Sequence, residues 1–265
     1  MALTAADFAR AAACEASQLR MSRLERMSYR ELSALLAGDP THAALWVRSA
    51  AEHGIPAAQL RLGRMLLEGR GIPRDEREAF AWFTRAAAQG EADALNMLGR
   101  CHENGWGVPA DPAAAAGCYR AAADAGHDWG EYNLGNLLFE GRGIAPDQRA
   151  ALYCYVRAAC RGHARAMNLA ARCLEEGWGC RRNRAEAAYW YRRSAESGYF
   201  RGQFNYALLL LEERRVQEAA QWLWKAVLGG NAALRRAVAA VLAGTTEPTL
   251  AAVGAGIERL PPPQA

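Results

Sequence analysis

Apolar positions along the chain follow two alternating helical patterns. In the segment 57–69, Ala58, Leu62, Met65 and Leu66 fall on one stripe of a helix, and most of the other positions are polar or small. The segment 77–90 shows the same period, with alanine and tryptophan on its apolar stripe. Both patterns return every 36 residues, which predicts an array of helix–turn–helix repeats in place of a single globular core.

A glycine-rich loop joins the two patterns within each repeat. It reads EGRGIPRD at 68–75, NGWGVPAD at 104–111, EGRGIAPD at 140–147 and EGWGCRRN at 176–183. One such loop could cradle a phosphate, but four evenly spaced copies indicate architecture, and no Gly-Lys-Ser/Thr follows. We expect the first glycine to end a helix in the left-handed conformation, and the last Asp or Asn to cap the next helix. The helix-ending glycines are Gly69, Gly105, Gly141 and Gly177, and the caps are Asp75, Asp111, Asp147 and Asn183.

Two further columns predict how the helices pack. Small residues recur at one position of the first helix, where they let a neighbouring helix approach closely: Gly63, Gly99, Gly135, Ala171 and Ala207. Bulky residues recur in the second helix, and we interpret them as hydrophobic core: Trp46, Trp82, Trp190 and Trp222, with Cys118 and Cys154 in the tryptophan position.

The repeat pattern A-x-x-x-L-G-x-x-L-x-x-G-x-G-[IV]-P-x-D-x-x-x-A-x-x-W-[FY]-x-x-A-A-x-x-G resembles the Sel1-like repeat, a relative of the tetratricopeptide repeat. The resemblance covers about residues 41–231. It implies an all-α fold, a right-handed α/α superhelical solenoid, and a role as a scaffold for protein interactions. Some secreted relatives carry a disulfide in each repeat, and a few resemble β-lactam-binding proteins. Here Cys160 would pair with position 168, which is Asn168, so that analogy does not extend to this chain.

Departures from the pattern predict the domain organisation. We expect residues 1–40 to form an N-terminal helical cap with a helix at about 22–36. The array then spans 41–231, with a half repeat at 41–54, four full repeats and a last one shortened because 209–218 lacks the glycine loop. Residues 232–265 should hold capping helices at 232–243 and about 247–259, followed by a disordered Pro-rich tail.

Composition and charge narrow the environment of the chain. Of its 265 residues 51% are hydrophobic, and the net charge of +4 is too small to indicate a nucleic-acid binder. No apolar run reaches the roughly 20 residues needed to cross a bilayer, and Asp7, Arg10 and Glu15 interrupt the segment where a signal peptide would be apolar. Seven cysteines, an odd number, suit reduced thiols, and we expect a cytoplasmic location. Cys154 and Cys173 should face each other, either as buried thiols or as a disulfide.

No catalytic chemistry is indicated by residue spacing. The five histidines do not have metal-ligand spacing, and no Ser/His/Asp triad or carboxylate pair can be argued. We therefore predict no catalytic, metal or cofactor site, and a protein that is not an enzyme.

Binding is expected instead on the concave face that first helices line in superhelices of this type. The outward columns there carry the candidate partner-binding residues Arg61, Arg64, Arg100, Asn133, Asn136, Glu140, Arg172 and Asn205. Arginine and asparagine at aligned positions suit the carboxylates or the extended backbone of a partner. The alternative is a solvated polar face with Arg–Glu pairs four residues apart.

A second candidate surface lies in the loops, where cation and indole alternate from repeat to repeat. Its members are Arg70, Trp106, Arg142 and Trp178. We expect either an exposed ridge with cation–π contacts among these side chains or a freely variable loop position.

Three function classes follow from these features. The first is a monomeric cytoplasmic adaptor that binds a protein or peptide segment in its groove. The second is a regulatory or accessory subunit whose activity belongs to an enzyme or a secretion or signalling complex. RNA binding through arginine-rich faces is the third, and it is disfavoured because no base-reading code repeats.

Overall fold

The computed structural model describes residues 16–24, 26–27 and 29–261, and the regular secondary structure of this part of the chain is all α-helix. Its helices are α1 (16–24), α2 (Tyr29–Ala37), α3 (Pro40–Glu52), α4 (Pro56–Glu68), α5 (Glu76–Ala87), α6 (Ala92–Asn104), α7 (Pro112–Asp124), α8 (Asp128–Glu140), α9 (Gln148–Cys160), α10 (Ala164–Glu176), α11 (Arg184–Glu196), α12 (Phe200–Glu212), α13 (Val216–Gly229), α14 (Ala232–Leu242) and α15 (Pro248–Glu258). Consecutive helices pack against each other, as in an α/α solenoid.

The N-terminal helix expected at about 22–36 is instead two helices, α1 and α2. The backbone N–H groups of Arg26 and Met27 bond to the carbonyls of Arg23 and Leu24, three residues back, so the chain leaves α1 in a tight turn. The two C-terminal helices are confirmed as α14 and α15. The expected tail disorder falls largely on residues 262–265, and the signal-peptide argument falls on residues 1–15. Both lie outside the described residues.

The loop between the two helices of a repeat is built as its sequence predicts. The helix-ending glycines Gly69, Gly105, Gly141 and Gly177 have φ values of 67°, 74°, 71° and 79°. Asp75 accepts a hydrogen bond from the backbone N–H of Glu78 as an N-cap. The carboxylate of Glu78 does not close a reciprocal capping box, because it binds Arg48 and the indole N–H of Trp82.

The second glycine of the loop allows close backbone packing against the preceding repeat. A Cβ added to Gly71, Gly107 or Gly179 would lie 2.1, 2.2 or 2.3 Å from the carbonyl oxygen of Pro40, Glu76 or Gln148. Each of these carbonyls belongs to the first residue of the preceding second helix. Only a residue without a side chain permits this contact.

The small-residue column fits against aromatic rings of the second helix. A Cβ on Gly63 would lie 2.5 Å from the ring of Phe83, and one on Gly99 would lie 2.4 Å from Tyr119. Both rings are fully buried. The close approach predicted for this column is therefore confirmed, and its cause is a packed ring.

The described residues form two compact units, one up to Gly130 and one from Glu131 onward. In the first unit the core gathers Leu62, Leu66 and Trp82 among its buried residues. The second unit contains separate clusters of buried hydrophobic residues, and Trp190 belongs to one of them and Leu223 to another. Trp46 and Cys154 are also buried, which confirms the core reading for these members, whereas Cys118 and Trp222 are half-buried.

The last repeat has the shorter turn that its sequence predicts. Only three residues separate α12 from α13, and Arg214 takes the left-handed conformation with φ 60° in place of a glycine. Arg215 forms ion pairs on both sides of this turn. Its Nη1 lies 3.1 Å from Oε2 of Glu213, and its Nη2 lies 2.7 Å from Oε2 of Glu218.

Candidate functional site

The arginines predicted for the first-helix face do point outward. Arg61, Arg64, Arg100 and Arg172 are exposed on α4, α6 and α10. Met97, which occupies the position of Arg61 in the next repeat, is buried at 5% exposure and belongs to the core. The same helical position is therefore exposed in one repeat and buried in the next.

Arg64 is held by an acid from the next repeat. Its Nη2 lies 2.9 Å from Oδ1 of Asp93 on α6, and the same oxygen lies 3.2 Å from Nε2 of His127. This pairing joins two repeats, which differs from the Arg–Glu pairs four residues apart in the solvated-face alternative. Arg61 donates to the carbonyl oxygen of Leu36 at 3.4 Å.

The two loop tryptophans each carry a guanidinium over the ring. The Cζ of Arg100 lies 5.0 Å from the ring centroid of Trp106, and that of Arg172 lies 5.1 Å from that of Trp178. The ridge expectation is corrected on this point, because these cations come from the first-helix column. Both rings are half-buried, and Trp178 also packs on Phe139 at 5.1 Å.

The other two members of the expected ridge point elsewhere. Arg70 and Arg142 are exposed, and Nε of Arg142 lies 2.5 Å from Oε2 of Glu140 at the end of α8. Glu140 was predicted as a partner-binding residue of the first-helix face, and the structure places it in this local ion pair.

The predicted asparagines are half-buried and are engaged in part by the fold. Asn136 accepts a hydrogen bond from the hydroxyl of Tyr155 at 3.0 Å, and Asn205 donates to Oδ1 of Asn168 at 2.8 Å. Asn133 lies near Asn136 on α8 and is likewise half-buried. Asn136 and Asn205 therefore each use one side-chain atom in a contact within the fold.

The first unit has two cavities on its first-helix face. One, of about 420 Å³, is lined by Arg64, Glu68, Arg74, Arg100 and Trp106 among others. The second, of about 570 Å³, is mainly apolar and is lined by residues of α1 to α4, with Arg61 and Arg64 as its charged members. The structure thus brings three of the predicted arginines to two adjoining cavities.

The second unit has a cavity of about 320 Å³ that joins two of the predicted residues, Arg172 and Asn205. It lies between α10, α12 and α14, and Tyr132 of α8 also lines it. Arg165 and Arg201 also line it, and sequence reasoning missed both. The available signal was their spacing, because the two arginines stand one repeat apart in the same column.

A buried carboxylate in the second unit was also missed. Glu131 is fully buried, and its oxygens lie 2.8 Å from Nη2 of Arg157 and 3.5 Å from Nε of Arg161. These ion pairs join α8 to α9. Its column holds Gln59 and Gln203 in other repeats, both buried, so recurring polar residues in an apolar column were the signal.

Among the seven cysteines, Cys101 and Cys173 are too deeply buried to act as nucleophiles. Six of the seven lie in the described residues and are present as thiols, including Cys154 and Cys173. Burial raises the pKa of Cys101 and of Cys173 to about 12, so both stay protonated near neutral pH. Within the described residues, no group of three or more His, Cys, Asp and Glu side chains could hold a metal ion. Nor is any helix of that part both long and apolar enough to cross a bilayer.

Comparison with known proteins places this architecture. The profile of the Sel1 repeat matches residues 16–55, 56–91, 92–127, 130–163 and 164–199, well over half of the chain. The chain belongs to the Sel1 repeat family. The first Sel1 segment includes part of the expected N-terminal cap, and the last matched Sel1 repeat ends at 199. Proteins of Sel1 repeats are generally scaffolds for protein–protein interaction.

Solved structures show the same Sel1 fold. A Sel1 repeat protein from Oxalobacter formigenes superposes with a TM-score of 0.75 at 24% identity, over 87% of this chain and 99% of that one. A protective antigen from uropathogenic Escherichia coli strains, which displays an SLR fold, superposes with a TM-score of 0.73 at 24% identity over 87% of this chain. This chain spans 52% of that antigen. No curated protein matches significantly.

Proposed function

We propose that this Sel1 repeat protein is a non-enzymatic adaptor that binds a segment of a partner protein on its first-helix face. The observation that carries the proposal is the pair of guanidinium groups held over indole rings, Arg100 on Trp106 and Arg172 on Trp178. The same arrangement occurs in two repeats, each time on an exposed arginine of the first helix.

Stacking on a ring prepares an arginine for binding. The indole fixes the plane of the guanidinium without neutralising its charge, so its N–H groups remain suited to a carboxylate. Arginine and carboxylate form charge-assisted hydrogen bonds that are about twice as strong as neutral ones. An extended partner with acidic residues fits such a face.

Cellular location and assembly belong to the same proposal. We place the adaptor in the cytoplasm, where buried thiols such as Cys101 and Cys173 stay reduced. We expect it to act as a monomer that lends its binding face to another protein.

The test is a triple variant, Arg64→Ala, Arg100→Ala and Arg172→Ala. The control is Arg77→Ala, Arg149→Ala and Arg181→Ala, which removes the same charge from exposed positions away from this face. Partners are captured from the native host and identified by mass spectrometry, and circular dichroism checks helicity, which alanine preserves. Partners lost from the first variant and kept by the control support the proposal. Equal capture by wild type and both variants contradicts it.

A further inference from the structure

Repeats of this chain can be compared position by position, and one comparison singles out the cavity of the second unit. In the first unit, Arg64 pairs with Asp93, 29 residues further along. Three repeats later the equivalent positions hold Arg172 and Arg201. The acid that neutralises the arginine in one unit is therefore replaced by a second arginine in the other.

Positive charge predominates in the lining of this cavity. Arg165, Arg172 and Arg201 line it, and none of its lining side chains is an aspartate or a glutamate. Like charges that line one cavity repel one another, and a bound anion would offset that repulsion. The amides of Asn168 and Asn205 lie in the same wall and are joined to each other at 2.8 Å.

Aromatic rings form much of the remaining wall, and three of them carry a neighbouring group on one face. The guanidinium of Arg165 lies over Tyr199 and that of Arg201 over Phe200, each 6.0 Å from the ring centroid. The ring of Tyr132 stacks on that of His163, with 4.7 Å between the ring centroids. These contacts occupy one face of three of the four aromatic rings in the lining, which disfavours the stacking platform that single-stranded RNA requires. It offers guanidinium groups together with apolar side chains such as Leu169 and Phe204.

We propose that this cavity binds the C-terminal carboxylate of a partner polypeptide whose last residue is apolar. Such a residue carries an anion and an apolar side chain on one Cα, which matches arginines beside Leu169 and Phe204. The volume of about 320 Å³ is at the small end of the range for ligand pockets and suits one terminal residue. The inference rests on the proposed adaptor function and names the group that this part of the face would recognise.

The probe is the peptide N-acetyl-Ala-Ala-Ala-Leu, compared with the same peptide carrying a C-terminal amide. Binding to the full chain is followed by NMR on the Nε–Hε signals of its arginines. We expect the signals of Arg165, Arg172 and Arg201 to shift with the free acid, and the amide to bind at least about tenfold more weakly.

Two variants sharpen this test. Arg201→Asp recreates the pairing that Asp93 provides for Arg64, so it should leave the helices intact and abolish binding of the free acid. Arg149→Ala removes a positive charge from an exposed site outside the cavity and should bind as the wild type does. Equal binding of acid and amide, or unchanged binding to Arg201→Asp, overturns the proposal.

Other anions define the remaining outcomes. If inorganic phosphate or a uridine oligonucleotide shifts the same arginine signals while the free-acid peptide does not, the cavity is a site for a different anion and the proposal is wrong. Failure here is separate from failure of the adaptor function. Host partners that still depend on Arg64 and Arg100 would support the adaptor role even when no terminal carboxylate binds.

Discussion

The two glycines of each interhelical loop serve different purposes. Gly105 and Gly107 both have φ 74°. A Cβ on Gly105 would meet its nearest atom at 3.6 Å, which is ordinary contact, whereas one on Gly107 would lie 2.2 Å from the carbonyl oxygen of Glu76. The first glycine is needed for its backbone conformation, and the second is needed for conformation and for space.

This difference predicts unequal costs for the same substitution. Gly105→Ala should destabilise the protein by about 1 kcal/mol, because alanine enters the left-handed region at that cost. Gly107→Ala should cost roughly 1–3 kcal/mol more, since the backbone of α5 has to move. Urea denaturation of both variants measures the difference. Equal losses of stability would show that the contact with Glu76 is unimportant.

Helical glycines divide in a similar way. A Cβ on Gly99 would lie 2.4 Å from the buried ring of Tyr119, whereas one on Gly117 would meet nothing within 4 Å. We expect Gly99→Ala to destabilise by roughly 1–3 kcal/mol through overpacking. Gly117→Ala should stabilise by roughly 0.5–1 kcal/mol, because alanine favours the exposed helix. Thermal melts of the two variants should move in opposite directions, and a shared direction would contradict the packing argument.

At the scale of helices, ion pairs connect one repeat to the next, and the link between α3 and α5 responds to pH. Arg48 donates to both oxygens of Glu78 at 2.6 and 3.2 Å, and Trp82 donates at 3.1 Å. The Arg48 hydrogen bond holds the pKa of Glu78 below its ordinary value. A depressed pKa means that the stabilisation is complete above the unfolded pKa of about 4.3 and disappears as pH falls through the folded pKa.

Glu78→Gln should therefore lower stability at pH 7 and have less effect at pH 3, because protonation of the wild-type carboxyl weakens the link as the pH falls toward and through its folded pKa. Urea midpoints at the two pH values measure this change. Glu68→Gln serves as the control, because Glu68 is exposed at the end of α4 and should show a smaller difference. A constant difference between wild type and Glu78→Gln across this range would rule out the ionic link.

Helix ends could be predicted because their signals are local. Gly69 ends α4 through its left-handed backbone, and Asp75 starts α5 through its side-chain cap, as predicted. The break between α1 and α2 could not be predicted, since the N-terminal segment lacks those glycine and capping signals. The exposure of Arg64 was predicted from helical period, but its pairing with Asp93 depends on how two helices are spaced.

The candidate site was predictable only in part for the same reason. Arg100 was assigned to one surface and Trp106 to another, although the structure places the first over the second. Helical period gives the direction of a side chain, and the path of the following loop decides what it meets. Arg201 was missed because its significance appears only when it is compared with Asp93, the acid at the equivalent position three repeats earlier.

At the scale of the whole molecule, the helices of each compact unit contact chiefly their neighbours in the chain. In such an array, stability is approximately a sum of repeat and nearest-neighbour terms. A local defect should therefore lower protection near itself and leave distant repeats largely unchanged. Gly107→Ala is a suitable defect because it acts on one contact, between the loop after α6 and the start of α5.

Hydrogen–deuterium exchange by mass spectrometry can locate the damage. In Gly107→Ala, amide exchange should accelerate in α5, α6 and α7, because the displaced loop loosens the packing on both sides of it. Peptides from α11 to α13 should exchange as in the wild type. Gly105→Ala is the matched control, two residues away, and should give a smaller change over the same helices. Uniform acceleration along the chain would mean that the array opens as one cooperative body, and nearest-neighbour additivity would then fail for this protein.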